Sequence, residues 1–428
     1  MLNHDPIPEE FLQYIWENKL LNTEGITTVN LESIEIIDVG KQNSNSGPDF
    51  FNARIKIGDT EWVGNIEIHK KSSDWYSHNH HTDKAYDNVI LHVVEQYDKP
   101  ILTSSGSEIP TLILQYPERI KTNYKRLLFS KTWIACEEQF HKIDQFALKL
   151  GYHRLMIERL ESKTTDILQS LSKNQNNWNE TFYQFLAKMF GFKVNALPFE
   201  MLAKSLPLSI LSKHKSNLQQ IEAMLFGNAG LLNEQLLGDD YYLQLREEYS
   251  FLYKKYKLKG IESHLWKFMR LRPVNFPTVR IAQFACLINK SEALFSKILE
   301  IEKLEEIQQL FNVTASEYWR THYRFNKLSK SLKKELGAFS INTLIINVVV
   351  PFLFVFGEDQ LKNNLKDRAL DFLEKLPQEK NSIIDNWEKL GIKVRSAFET
   401  QALLQLKNLH CDQKKCLNCQ IGNKLVNL

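Results

Sequence analysis

The stretch "GPDFFNARIKIGDTEWVGNIEIHK", Gly47 to Lys70, decides how the first part of the chain folds. Within it, "FNARIKI" and "EWVGNIEIH" alternate apolar and polar residues, the period of half-buried strands. The "GDT" between them is a short glycine-containing hairpin signal. The pair predicts an antiparallel hairpin in which Asp49 enters and Glu67 leaves at the same edge. Two carboxylates converging from adjacent strands form a hard oxygen site suited to Mg²⁺ or Mn²⁺. Residues 67 and 69 share one strand face, so His69 points where Glu67 points and Lys70 points away. The plain alternative is a pair of solvated strand ends.

Working outward, "PIPEEFLQYIWENKL" carries Phe11, Leu12, Ile15, Trp16 and Leu20 at helical spacing, with Pro8 near the start. "IEIIDVG" precedes the hairpin as a further strand. After it come a polar, histidine-rich connection, a short helix expected over "HTDKAYDN", and "VILHVVEQ". That last run is apolar and β-branched, the composition of a strand buried on both faces. "ILTSSGSEIPTLIL" is expected to add an edge hairpin. Beyond about residue 120 the periodicity is helical, as in "QFALKLGYHRLMIERLESKTTDILQSL" and "LKDRALDFLEKL". The class expected is α+β, divided into 1–120, a helical part 121–405, and a short Cys-rich tail 406–428.

Bulk properties narrow the function classes little. A net charge of +3 permits a nucleic-acid partner without requiring one. The N-terminal "MLNHDPIPEEF" is acidic where a secretory signal would be basic and then apolar. "LIINVVVPFLFVF" (Leu344 to Phe356) is shorter than the roughly 20 residues of a membrane helix and contains Pro351. It is read as a buried helix or a strand pair, with no membrane span. Five cysteines, an odd number, argue against a disulfide scaffold and for a cytoplasmic protein. Oligomeric state has no signature in the sequence.

The pattern Pro48-Asp49 followed by Glu67-x-His69 at the end of the next strand, within the order helix, three strands, helix, strand, resembles the PD-(D/E)XK phosphodiesterase superfamily. The resemblance implies a restriction-endonuclease-like core over residues 1–120 and metal-dependent hydrolysis of DNA or RNA. It implies that Asp49 and Glu67 bind Mg²⁺ or Mn²⁺, with His69 in the position of the water-handling lysine. It further implies a glutamate from the first helix, for which Glu9, Glu10 and Glu17 are the candidates and helical phase favours Glu10, and a Gln-x-x-x-Tyr pattern after the Glu strand, in which Thr82 stands at the Gln position and Tyr86 matches the tyrosine. Loss of the lysine also marks degenerate members, so a nucleic-acid- or protein-binding scaffold is the alternative. The segments "GPDFFNARI", "WVGNIEIHKKSSDWYSHNHHTDKAYDNVILHVV" and "RPVNFPTVRIAQ" are similar, over nearly the whole chain, to an uncharacterised bacterial family with no assigned function.

Two clusters remain. His69, His78, His80, His81 and His92 crowd one region, together with Asp74 and Asp83. The open readings are a second metal site built on His78-x-His80, a phosphate-facing loop in which His80 and Tyr86 bind beside the ion, and a capped surface loop. His92, inside "VILHVV", reads as a core histidine. Cys411, Cys416 and Cys419 lie within nine residues. Their thiolates suit Zn²⁺ or a [4Fe–4S] cluster, with Cys136 or His410 as fourth ligand. The basic, aromatic stretches "YRFNKLSKSLKKEL" and "RLRPVNFPTVR" are read as solvated faces and rigid turns, or as phosphate contacts.

Overall fold

The computed structural model describes residues 7–22, 25–43, 45–232, 237–291 and 293–428; the start of the acidic N-terminal stretch, residues 1–6, lies outside the described residues. The chain is α+β, with its sheet in the N-terminal part and helices after it. It forms two compact units, one of residues 1–151 with 406–428 and one of residues 152–405.

In the first unit, α1 (Glu9–Glu17) begins behind Pro8 and buries Phe11, Leu12, Ile15 and Trp16. The sheet contains β1 (Ile34–Asp38), β2 (Lys41–Gln42), β3 (Phe50–Ile57), β4 (Thr60–Lys71), β5 (Val89–Gln96) and β6 (Thr111–Ile113). Its order is β1-β3-β4-β5-β6, with β2 also on β3. Alternation places β3 and β4 as an antiparallel hairpin turning at Gly58, which has φ +56°. β5 then runs parallel to β4, and all its residues from Val89 to Val94 are buried. Gly64 makes that approach possible, since a Cβ there would lie 2.4 Å from Ile90 Cγ2 and 2.7 Å from the Asn88 carbonyl oxygen.

Two local expectations are corrected. After a short helix α2 (Asp74–Ser77), "HTDKAYDN" forms two 3₁₀ turns, His80–Thr82 and Lys84–Tyr86, instead of one helix. Asp83 is extended between them, and its side chain accepts from the Ala85 amide, which restarts the chain. "ILTSSGSEIPTLIL" forms a short hairpin in its first half only, where the Ile109 amide donates to the Ile101 carbonyl oxygen at 3.1 Å and the Thr103 amide to that of Ser107 at 2.9 Å, and "TLIL" takes no part in it. Its first half has the isolated bridge Leu102–Glu108, and Thr111–Ile113 joins β5 in parallel as β6.

The C-terminal segment belongs to this unit. Its helix Gln420–Val426 packs against α3 (Glu118–Phe129). Arg119 and Asn123 of α3 donate to the Leu428 and Val426 carbonyl oxygens at 3.0 and 3.3 Å. Asn427 donates to the Tyr14 hydroxyl at 2.7 Å.

The second unit is helical. "LIINVVVPFLFVF" lies in one continuous helical stretch, Ala338–Asp359, with a π-helical turn at Ile345–Val349 just before Pro351. Proline lacks the N–H of a regular turn, and the widened turn accommodates that loss. This helix is long and apolar enough to cross a membrane, but 72% of its apolar window is buried inside the protein. Phe352 and Phe356 pack there against Trp178 and Phe295.

Glu222 is buried in this unit and accepts from Ser316 Oγ at 2.7 Å and Tyr241 Oη at 2.9 Å. Burial pushes its carboxyl up from 4.5 to about 7 despite those donors. The folded chain thus keeps a proton that the unfolded chain releases between those values. The resulting stability is fully present below pH 4.5 and is lost as pH rises through about 7. Glu222→Gln should remove this slope: in urea unfolding the parent is expected to lose up to about 3 kcal/mol more than the variant between about pH 5 and pH 8.

Candidate metal centre

The strand register places Asp49 opposite Glu67, one step beyond the pair Phe50–Ile66. The two residues hold each other. The Asp49 amide donates to Glu67 Oε2 at 3.1 Å, and the Ile68 amide donates to Asp49 Oδ2 at 2.9 Å. Gln13 of α1 donates to Asp49 Oδ1 at 2.8 Å. The register slips between Phe50 and Ala53, where Asn52 adopts φ +55°. Such a bulge re-aims the residues before it and is tolerated by asparagine better than by most residues. Burial pushes both carboxyls well above their ordinary range. The Glu67 charge adds to this at Asp49, and the Glu9 charge adds at Glu67.

Glu9, half-buried in the first turn of α1, accepts from the Lys70 amide at 3.4 Å. Glu10, favoured by phase in the sequence, is exposed. The helix begins at Glu9 itself, so the face toward the hairpin runs through Glu9 and Gln13, spaced i and i+4. That spacing was the available signal for Gln13, which the sequence reading missed.

On β4, Glu67 and His69 lie on the same face and are 5% and 1% exposed. His92 on β5 pairs with Glu67 across the parallel ladder. His69 Nδ1 lies 2.8 Å from His92 Nε2, and His69 Nε2 lies 3.1 Å from His78 Nδ1. Glu67 Oε1 is 3.2 Å from His80 Nε2 and 3.5 Å from His69 Nε2. One ligand nitrogen from each of His69, His78 and His80 falls within 4.8 Å of the others. Burial lowers His69 to about 2 and His92 to about 3, and neighbouring imidazoles add to the effect. These rings are neutral and present lone pairs.

The connection that delivers His78 and His80 is anchored by its own small core of Trp75, Tyr86, Val89, Ile101 and Ile109. Trp75 is fully buried and donates to the Leu102 carbonyl oxygen at 3.0 Å. Ser72, also fully buried, donates to Asp98 Oδ1 at 2.7 Å. Asn79 turns the chain with φ +64°, between His78 and His80. The Tyr86 ring stacks on His80 at 3.8 Å.

Asp49, Glu67, His69, His80 and Tyr86 are therefore brought together, with Glu9, Gln13, His78 and His92 around them. Asp74 and Asp83 are caps, accepting from the Lys71 and Ala85 amides at 2.9 Å each. His81 sits against Tyr76 instead of joining the group. His92 is a core histidine, as read from its strand, and it also touches His69.

The cysteine set is corrected. Cys136, Cys416 and Cys419 are buried and Cys411 is half-buried. Among the described residues, their sulfurs do not gather within 4.8 Å as the three imidazoles do. Four thiolates at Zn–S distances of about 2.3 Å would stand closer than that to one another. Burial pushes the Cys136 thiol up to about 12 and Cys416 to about 11, and neighbouring cysteines add to both shifts. The segment is held instead by its helix and by Lys414, which donates to the Leu128 and Ser130 carbonyl oxygens.

The basic stretches of the helical unit are also internal in part. Arg280 is buried and donates to Gln283, Asn275 and Ser340. Lys334 is buried and donates to the Arg320 and Leu332 carbonyl oxygens. Both brace loops.

Residues 9–382 match the model of a family described as proteins of unknown function (DUF2851), and the chain belongs to that family. No curated protein and no solved structure matches the chain.

The Trp75 anchor generates a prediction. Trp75→Ala should destabilise the first unit by about 3–5 kcal/mol, because its ring is fully enclosed. Amide hydrogen exchange over 78–86 should rise with it. Unchanged protection there would mean that the histidine-bearing connection does not depend on this side chain.

Proposed function

We propose that this protein hydrolyses phosphodiester bonds in DNA or RNA, using a divalent ion held at the hairpin edge by Asp49, Glu67 and the adjoining histidines. One observation carries the reading: two carboxylates from adjacent strand ends are each held by an amide of the other strand and face a set of converging imidazoles. The order α1, β1, β3, β4, crossover, β5, with β3–β4 antiparallel and β4–β5 parallel, supports it.

A bound divalent ion would polarise the phosphoryl group and favour ionisation of water near neutral pH. The residues do the rest. Glu67 presents Oε1 to the imidazoles while its Oε2 is fixed by the Asp49 amide. His69 takes the lysine's place in sequence but not its work, since its ring is buried and both nitrogens are engaged. Glu9, half-buried at the start of α1, is the carboxylate best placed to accept a proton from water. Water oxygen adds to phosphorus, the bond to the departing sugar oxygen breaks, and that oxygen takes a proton from solvent. Substrate is then nucleic acid, and the five cysteines, an odd number in a large chain, favour a cytoplasmic setting.

The enclosure of His69 favours a second reading, a scaffold that binds nucleic acid or protein with the chemistry lost. Cleavage of labelled single- and double-stranded DNA and RNA with Mg²⁺ or Mn²⁺ separates the two. The parent should cut at least one substrate, and Glu67→Gln should be slowed 100-fold or more. Intact substrates throughout would leave the scaffold reading, and equal cutting by both proteins would detach the activity from this edge.

A further inference from the structure

We propose that His69, His78, His80 and Glu67 form a site for one borderline transition-metal ion, of the class of zinc, iron(II) or nickel, in preference to magnesium. The inference rests on the proposed centre being a cation site, and not on what that centre hydrolyses.

Spacing is the first argument. Bonds of about 2.0–2.2 Å from a metal to nitrogen and oxygen set neighbouring tetrahedral ligands about 3.3–3.6 Å apart. The separations here are 3.1 Å between His69 Nε2 and His78 Nδ1, 3.2 Å between His80 Nε2 and Glu67 Oε1, and 3.5 Å between His69 Nε2 and Glu67 Oε1. His69 and His80 have thus converged to ligand distance on a carboxylate oxygen, and His78 stands at ligand distance from His69.

Donor chemistry is the second. Magnesium takes oxygen ligands in a near-ideal octahedron and keeps several waters. Imidazole suits zinc, iron, nickel and copper. The oxygen donors of the pair are partly spoken for, since Asp49 accepts from Gln13 at one oxygen and from the Ile68 amide at the other. Glu67 Oε1 is the oxygen turned toward the imidazoles. The set is therefore three nitrogens and one oxygen.

The third argument is support behind the ligands. Metal-bound imidazoles are characteristically oriented by a partner on the other ring nitrogen. His92 Nε2 provides this for His69 Nδ1 at 2.8 Å, and the stacked Tyr86 ring fixes the plane of His80. The arrangement also assigns tautomers. For His69 Nε2 to offer a lone pair, its Nδ1 must carry the hydrogen and donate to His92 Nε2. The His92 hydrogen then sits on Nδ1, a buried atom with no hydrogen-bond partner. In the opposite tautomer, His92 donates to His69 and His69 donates to His78, forming a relay of hydrogen bonds. An ion replaces the second of those bonds and reverses the first.

The test uses the full chain stripped with a chelator, titrated calorimetrically with zinc, manganese or magnesium chloride alone. One equivalent of zinc should bind at least 100-fold more tightly than magnesium. His78→Ala and His80→Ala should each weaken zinc ten-fold or more, and both lie at or near the surface, where truncation spares the core. Cobalt(II) replaces zinc in a parallel titration. Its visible absorption should appear without thiolate charge transfer and survive Cys419→Ser. Zinc binding no tighter than magnesium, or unaffected by both histidine variants, overturns the site. A strong thiolate band lost in Cys419→Ser also overturns it, by placing the ion on the cysteines. Tight, histidine-dependent zinc binding with every nucleic acid left intact upholds this site while removing the hydrolase reading.

Discussion

Two carboxylates at the end of one hairpin, Glu67 buried and Asp49 half-buried, are the constraint around which the first unit is arranged. Left ionised and unpaired, each would cost several kcal/mol. The chain meets part of that cost locally, with the amide of Asp49 on Glu67 and the amide of Ile68 on Asp49. Those two bonds need β3 and β4 in one register, and that register needs the slip at Asn52. The close approach of β5 needs Gly64. Helix α1 must then begin where it does for Gln13 to reach Asp49. A hydrogen-bonding requirement at a single edge therefore propagates to the turn, the neighbouring strand and the first helix.

The same constraint explains why histidines, and not lysines, crowd the edge. Neutral imidazoles can be buried against carboxylates without adding a second charge to desolvate. Burial lowers His69 and raises Glu67 together, each favouring its neutral form. Such a pocket is comfortable only when protons or a cation supply the missing positive charge. That makes it a poor structural ornament and a plausible binding centre.

Much of this was legible from residues alone, and the reasons are physical. β3 was readable because period-2 alternation leaves little choice of face, and β5 because an apolar, β-branched run needs cover on both sides. The pairing of Asp49 with Glu67 followed from the hairpin. Glu9 was legible only as one of three candidates with Glu10 and Glu17, because a shift of one residue in the helix start rotates the face by about 100° and exchanges Glu9 for Glu10. β6 was missed because its partner is parallel and lies upstream, which no local turn signal records. The convergence of His78 and His80 depended on Trp75 and Tyr86 forming a core beneath a polar segment. That core draws Ile101 and Ile109 from beyond β5, contacts that sequence proximity does not reveal. The cysteines misled because short spacing says how near the chain positions are, not where the sulfurs point.

The hydrogen bonds from α3 to the final residues have a consequence for the order of events during synthesis. Residues 152–405 intervene between the two parts of the first unit. Closing so long a loop costs only slightly more entropy than closing a short one, so the topology is thermodynamically permissible. Its kinetics are another matter. Tyr14, Arg119 and Asn123 leave the ribosome hundreds of residues before Val426, Asn427 and Leu428, the groups they bind. The helical unit can finish folding while α3 still shows an uncovered face, and residues 420–428 are what seal it.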